Sequence, residues 1–296
     1  MTQYPLLITL ERHNCYQTFR LEYRQGTQLE EDCLTPGPSI AEQASAAGWL
    51  QGGIPVVQDQ GQISHSSPCQ ILCKGHGGRV SPDSRWQWRL QPQQGWPPPF
   101  RLLEWDRHTD REVLIWEKPG WEILDLQLDQ RAPGLYFAVQ PPLGKRQLLH
   151  WNPLRRQLQC VMRHADFRPI EFAMAPDGAS LAFVHQTDDQ LYRLDLAGQQ
   201  LHQLSIPQLE VESQQGYRAY RTSPAYSPDG QRLFYCTAYL ELCDLDLSNW
   251  GNAYSLPAQG GALRRLELGD LEDACPINLC PPTVGAWLAR PLALAS

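Results

Sequence analysis

Lysine is scarce in this 296-residue chain: Lys74, Lys118 and Lys145 are the only lysines among 25 basic residues. Acidic side chains outnumber basic ones, for a net charge of −7. The excess of positive charge that phosphate backbones require is missing, so no nucleic-acid partner is expected. Also missing is any apolar run of the roughly 20 residues a helix needs to cross a bilayer, and no membrane insertion is expected. The opening residues carry no basic leader and only a short apolar run, Leu6-Leu7-Ile8, unlike an export signal. Nine cysteines, an odd number without regular spacing, fit reduced thiols, which makes the cytoplasm the expected compartment.

Catalytic signatures are absent too. The chain has no Gly-x-Ser-x-Gly nucleophile elbow and no His-Glu-x-x-His, the arrangements that serine hydrolases and zinc peptidases use. Lys74-Gly75-His76-Gly77-Gly78 is rich in glycine but lacks the order of a phosphate-binding loop, so a turn is expected there. Cys69, Cys73 and His76 have zinc-ligand chemistry without the spacing of a zinc finger, and they read as ordinary strand and loop residues. No cofactor and no metal is expected.

What the sequence does contain is a repeated corner. In Pro224-Ala225-Tyr226-Ser227-Pro228-Asp229-Gly230-Gln231-Arg232-Leu233-Phe234-Tyr235 two short apolar strands flank a turn. Gly230 accepts positive φ, Asp229 can bond its own backbone, and Pro228 cannot sit inside a central strand. A second copy spans 172–183, around Pro176-Asp177-Gly178, and a third spans 80–86, where Ser84 replaces the glycine. Asp177 and Asp229 lie 52 residues apart, and Asp83 and Asp177 lie 94 apart. Halving the longer interval predicts a hidden copy near residue 130, where Asp129 to Gly134 precede Leu135-Tyr136-Phe137. Further steps reach Thr35-Pro36-Gly37-Pro38 and Cys275-Pro276, both degenerate.

Each corner is followed by a hairpin pattern. Gln190-Leu191-Tyr192-Arg193-Leu194-Asp195-Leu196 and Leu201-His202-Gln203-Leu204 alternate in hydrophobicity, as half-buried strands do. A unit of about four strands repeating every 47 to 52 residues is one blade of a radial β architecture.

Pro-x-Tyr-Ser-Pro-Asp-Gly with Leu-Phe-Tyr, then Leu-Tyr-x-Leu-Asp-Leu before a turn, resembles the repeat of bacterial TolB-like β-propellers. Related repeats occur in the propeller domains of prolyl-oligopeptidase-type peptidases. The match is good at 224–235 and 172–204 and partial at 80–116 and 128–161. It implies an all-β, closed β-propeller of four-stranded blades in a single domain over 1–296. The period fits six blades, with five as the alternative. Terminal strands would complete one blade, residues 1–30 pairing with the C-terminal blade that contains 262–268. Periplasmic TolB-like proteins would carry an export signal, which this chain departs from. Around 35–62 no blade pattern fits, and Ser39 to Ala47 has a capping-box start, so a helical or loop insertion is expected.

Such scaffolds host many functions. The reading adopted is a non-catalytic protein–protein interaction scaffold that uses the loop face or channel mouth. Trp49, Trp96 and Trp250, read as loop tryptophans, are interaction candidates. So are Tyr217, Tyr220 and Arg221, from the long polar excursion at 205–223. Trp86, Trp88, Trp105, Trp116 and Trp151 read instead as packing between blades. One alternative is a lactonase- or glycosidase-like hydrolase or lyase, using channel carboxylates with a divalent metal. Its candidates are Asp106, Asp110, Glu117, Glu171, Asp188, Asp189 and Glu241. A small-molecule sensor is the third reading.

Overall fold

The corners fold as their side chains dictate. The Ser227 hydroxyl donates to Asp229 Oδ1 at 2.6 Å and accepts the Arg232 N–H at 2.9 Å. Asp229 Oδ1 also accepts the Gln231 N–H at 3.0 Å. The Gly230 N–H closes the turn on the Ser227 carbonyl, with Gly230 at φ +70°. Ser81 and Asp83 repeat the pattern, and Ser84 takes the left-handed position at φ +61° where the other two corners have glycine. Asp177 and Asp129 each accept the N–H two residues on, so the hidden copy near residue 130 is real.

The computed structural model describes residues 3–12, 15–24, 33–42, 45–50, 54–59, 62–66, 69–74, 76–92, 100–164, 167, 169–185, 188, 190–204, 217–221, 224–241, 249–266 and 275–280. Among them, 25 strands form six antiparallel sheets. The first begins with β1 (Gln3–Arg12), β2 (Cys15–Arg24) and β3 (Cys33–Glu42). The second holds β4 (Ser45–Leu50), β5 (Ile54–Asp59), β6 (Gln62–Ser66) and β7 (Cys69–Lys74). The third holds β8 (His76–Val80), β9 (Trp86–Pro92), β10 (Phe100–Asp106) and β11 (Arg111–Trp116). The fourth holds β12 (Glu122–Leu128), β13 (Leu135–Gln140), β14 (Gln147–Asn152) and β15 (Gln157–Arg163). The fifth holds β16 (Pro169–Met174), β17 (Ser180–His185), β18 (Leu191–Asp195) and β19 (Gln200–Gln203). In the sixth, β20 (Tyr217–Arg221) and β21 (Ala225–Tyr226) both pair with β22 (Arg232–Glu241), and β23 (Asn249–Pro257) and β24 (Arg264–Arg265) follow. Finally β25 (Cys275–Cys280) returns to β1, so the first sheet reads β25-β1-β2-β3.

Three sequence expectations are corrected. The described residues of 35–62 are strand, not a helical or loop insertion: β3 pairs with β2, and β4 with β5. Helix propensity is a weak prior, and the ladder offered by β2 outweighs it. Thr35 to Pro38 lies within β3, where register shifts against β2 accommodate the prolines. The terminal pairing exists, but its C-terminal partner is β25; the 262–268 stretch contributes β24 to the sixth sheet.

The core lies between sheets. Leu6, Ile8 and Leu10 of β1 pack with Phe234 and Cys236 of β22. Leu191 of β18 packs with Leu233 and Tyr235, while Leu194 joins the Phe167, Phe172 and Phe183 cluster against Tyr136 and Leu148. Trp86, Trp88, Trp116 and Trp151 fill the space between the third and fourth sheets, as expected of them. Trp105 departs from that expectation: it is 37% exposed and donates to Asp110.

Polar contacts between sheets recur at the blade period. Arg79 to Asp125, Glu104 to Trp151, Asp125 to Phe172, Arg131 to Asp177 and Ser180 to Tyr226 each span 46 or 47 residues. The corners also stack: a Cβ on Gly178 would stand 2.2 Å from Arg131 Cζ, and one on Gly230 would stand 3.4 Å from Pro176 Cδ. Both glycines have φ near +70°, where alanine costs about 1 kcal/mol. Gly178→Ala must also displace the Arg131 guanidinium from Asp129. Urea unfolding is expected to show Gly178→Ala destabilised by about 2 kcal/mol and Gly230→Ala by about 1 kcal/mol. Equal effects would show that the stacking of neighbouring corners contributes nothing.

Candidate functional site

Four of the carboxylates nominated from sequence are engaged where they stand. Asp106 receives the Arg85 guanidinium at 3.1 and 3.0 Å, which holds its pKa below the usual carboxylate range. Asp110 accepts the Trp105 indole at 3.0 Å, and Glu117 pairs with Arg101 at 2.9 Å. Asp188 accepts the Tyr192 hydroxyl at 2.8 Å and the Gln190 N–H at 3.1 Å, and stands 3.2 Å from His185. Glu171 lies on β16 and Glu241 ends β22; Asp189 is outside the described residues. Among the described residues, no three His, Cys, Asp or Glu side chains gather as a metal site would require.

Two buried acids escaped the sequence reading. Glu104 on β10 accepts the indole N–H groups of Trp88 at 2.9 Å and Trp151 at 2.5 Å on one oxygen, Oε2. Burial pushes its pKa up against the pull of those two donors. Asp125 on β12 ties three first strands together: Arg79 of β8 donates at 3.4 Å and the Phe172 N–H of β16 at 3.1 Å. Burial raises its pKa too, and Arg79, Gln127 and backbone N–H groups oppose the shift. The available signal was the spacing, since 104 to 151 and 125 to 172 are each one period.

Asp129 anchors the third polar group. His150 Nε2 stands 3.1 Å from Oδ2, and Arg131 donates Nε and Nη2, each at 3.2 Å. Burial pushes the Asp129 pKa up, but the His150 and Arg131 hydrogen bonds outweigh it and bring the value to about 2. Tyr136, tilted over His150 at 4.4 Å, is pushed up to about 12 by burial and by the neighbouring carboxylate. The cluster sits at the start of β13 and bonds to the next corner through the Asp177 carbonyl. Its geometry secures the turn.

The sixth sheet differs from its neighbours. β22 has ten residues against six in β13 and β17, and the extra length is flanked by β20 and β23. Because cross-strand partners share a face, register places Tyr217 with Glu241, Ala219 with Tyr239 and Trp250, and Arg221 with Thr237 and Asn252. Tyr217, Arg221, Tyr239 and Trp250 thus share one face of a three-stranded extension. Tyr220 and Ala238 share the other. Tyr217, Tyr220, Arg221 and Trp250 were expected in loops and instead lie in strands, because the pairing reaches past the end of β21. Trp49 lies on β4 opposite Pro55, away from this group, and is likewise corrected from loop to strand. Trp96 is outside the described residues. Tyr239 was missed; the alternating run Tyr235-Cys236-Thr237-Ala238-Tyr239 was its signal.

No protein-family model and no curated protein matches the sequence. Solved structures do match the fold. TolB from Acinetobacter baumannii superposes with a TM-score of 0.58 at 12% identity, over 94% of this chain and 66% of that one. A TolB structure from Agrobacterium tumefaciens gives 0.54 at 12% identity, over 82% and 92%. A chain of the nidogen/laminin complex gives 0.53 at 8% identity, over 94% and 98%. The fold is a TolB-like β-propeller built from four-stranded antiparallel sheets.

The depressed acidity of Asp129 makes stability pH-dependent. A carboxylate whose pKa falls on folding contributes stability above its unfolded value, and that contribution is lost as pH drops through the folded value. With 3.8 falling to about 2, the ionised group contributes about 2 kcal/mol. In urea unfolding, the stability gap between the natural chain and Asp129→Asn is expected to narrow by about 2 kcal/mol from pH 6 to pH 2. A gap independent of pH would show that the ionised Asp129 is not what secures the corner.

Proposed function

We propose that this chain is a non-catalytic interaction module: a single-domain, closed, six-bladed propeller whose loop face contacts another protein. Closure is supported by the neighbours of β25, which lies against β22 on one side and β4 on the other, while β8, β12, β16 and β21 follow one another in contact. In such a ring β25 is the first strand of a blade whose other three strands come from the N-terminus. This closes the ring by pairing the two ends of the chain in one blade.

The observation that carries the reading is the three-stranded extension of the sixth sheet. It gathers two tyrosines, a tryptophan and an arginine on one face, the residue types that dominate binding energy at interfaces. It grows from the end of β22 opposite the corner, which in the ring is the face carrying the longer connections. The hydrolase or lyase alternative needs carboxylates aimed at a common point, and Asp106, Asp110, Glu117 and Asp188 are instead held in turns and ion pairs. A reducing compartment, the cytoplasm, accords with a free thiol at Cys160. Among the described residues, no helix is long and apolar enough to cross a membrane.

A tagged pull-down from the native cytoplasm with mass spectrometry tests this reading. A stoichiometric partner is expected, with capture reduced about tenfold or more by Tyr217→Ala or Trp250→Ala and less by Tyr220→Ala on the opposite face. Absence of any stoichiometric partner across salt and protein concentration, or capture indifferent to all three changes, would overturn it.

A further inference from the structure

A second feature of the loop face lies on the fourth sheet, away from the extension. The turn between β13 and β14 reads Pro141-Pro142-Leu143-Gly144-Lys145, and Leu143 at its tip is 91% exposed. The turn is braced on all sides. Two prolines fix their own φ angles. Gln140 donates to the Pro141 carbonyl at 2.8 Å, and Arg146 donates back to Gln140. Pro142 rests on the neighbouring connection between β11 and β12, close enough that a Cβ on Gly120 would stand 3.1 Å from its ring. A leucine held in water by a rigid turn costs solvation without an offsetting contact in the isolated chain. Rigidity of this kind lowers the entropy lost when a partner covers it.

Basic side chains stand on the connections beside that leucine, with Glu122 opposite Gln140 and Glu117 paired to Arg101 as the neighbouring acids. Lys145 is two residues on, and Lys118 lies in the abutting connection with its ammonium 4.6 Å from the ring centres of both Trp116 and Trp121. Arg163 ends β15 opposite Gln147, beside Arg146. Among the described residues, none of Lys118, Lys145 and Arg163 has a carboxylate partner. Two of the three lysines in a chain of net charge −7 thus stand beside the most exposed large apolar side chain among the described residues.

We propose that this patch docks an acidic segment of a partner protein, with Leu143 as the apolar anchor and Lys118, Lys145 and Arg163 as the charge complement. A protein segment fits better than nucleic acid, since three cations beside a leucine make a small mixed patch while the whole chain repels polyanions. The proposal rests on the interaction reading above and specifies a second contact on the same face.

The test is fluorescence anisotropy on the full chain. Its probe is a fluorescein-labelled peptide of about twelve residues, with alternating glutamates around a central Leu-Leu, compared with a counterpart bearing lysine for every glutamate. The acidic peptide is expected to bind at least about tenfold more tightly than the basic one, and to weaken as salt rises from about 50 to about 300 mM. The double change Leu143→Ser with Lys145→Glu should weaken it about tenfold further. Lys118→Glu alone should weaken it in the same direction, and the melting temperature of the double variant should stay unchanged because Leu143 and Lys145 are exposed. Equal affinity for both peptides, or indifference to the substitutions, overturns the proposal. So does retention of single-stranded RNA or phosphatidylserine vesicles in place of the acidic peptide, if the same double change abolishes it. Should a partner be captured through Tyr217 and Trp250 while the acidic peptide fails, this inference falls alone; the reverse pair of results removes the extension and keeps the patch.

Discussion

Each sheet of this chain must meet the next one period later, and the hydrogen bonds spanning 46 or 47 residues express that constraint. Apolar burial supplies most of the attraction: a fully buried leucine or phenylalanine contributes about 2 kcal/mol, against about 1 kcal/mol net for a neutral hydrogen bond. The polar contacts matter for another reason. Trp88 and Trp151 converge on a single oxygen of Glu104 from two different sheets, and Asp125 holds first strands from three. Apolar faces can slide over one another, whereas a buried carboxylate without its donors would be costly. The acids therefore fix the register in which the apolar faces pack.

That constraint explains what was legible in the sequence. Corners at Asp83, Asp129, Asp177 and Asp229 share a mechanism, in which an aspartate accepts the N–H two residues on. The mechanism needs particular residues, so it leaves a visible trace even where glycine becomes serine at position 84. The buried tryptophans of the third and fourth sheets were readable from alternation alone. The second sheet was not, because its strands β4 to β7 carry no Asp-Gly corner, and the alanines around Ser45 favour helix in isolation. Pairing partners decided that segment, and pairing partners are not local information. The first sheet was half legible: a terminal exchange was foreseeable, but β25 rather than β24 makes it.

The candidate surface was harder to read for a related reason. Aromatic composition nominated Tyr217, Arg221 and Trp250, yet only the register of β20, β22 and β23 shows that these three share a face and that Tyr220 does not. A face is a property of three strands together. Composition also misled at Trp105, whose strand pattern matched the buried tryptophans while its indole serves Asp110 at the surface.

The two ends of the sheets follow different physics, and this is why the repeat identifies a fold so much better than a function. At the corner end, Asp129, Arg131, Asp177, Pro176 and Gly230 are committed to one another. A change there would be felt as instability, so the same chemistry recurs in each copy. At the opposite end the described residues repeat no such set of contacts, although Pro142 rests against Gly120. One sheet can lengthen β22 by four residues and another can present a proline-braced leucine without disturbing the cores between sheets. Variation accumulates where the register constraint is weakest, and the features that distinguish this chain from a generic propeller lie there. Repetition marks what the fold needs, and departures from repetition mark where this molecule has been free to acquire its own contacts.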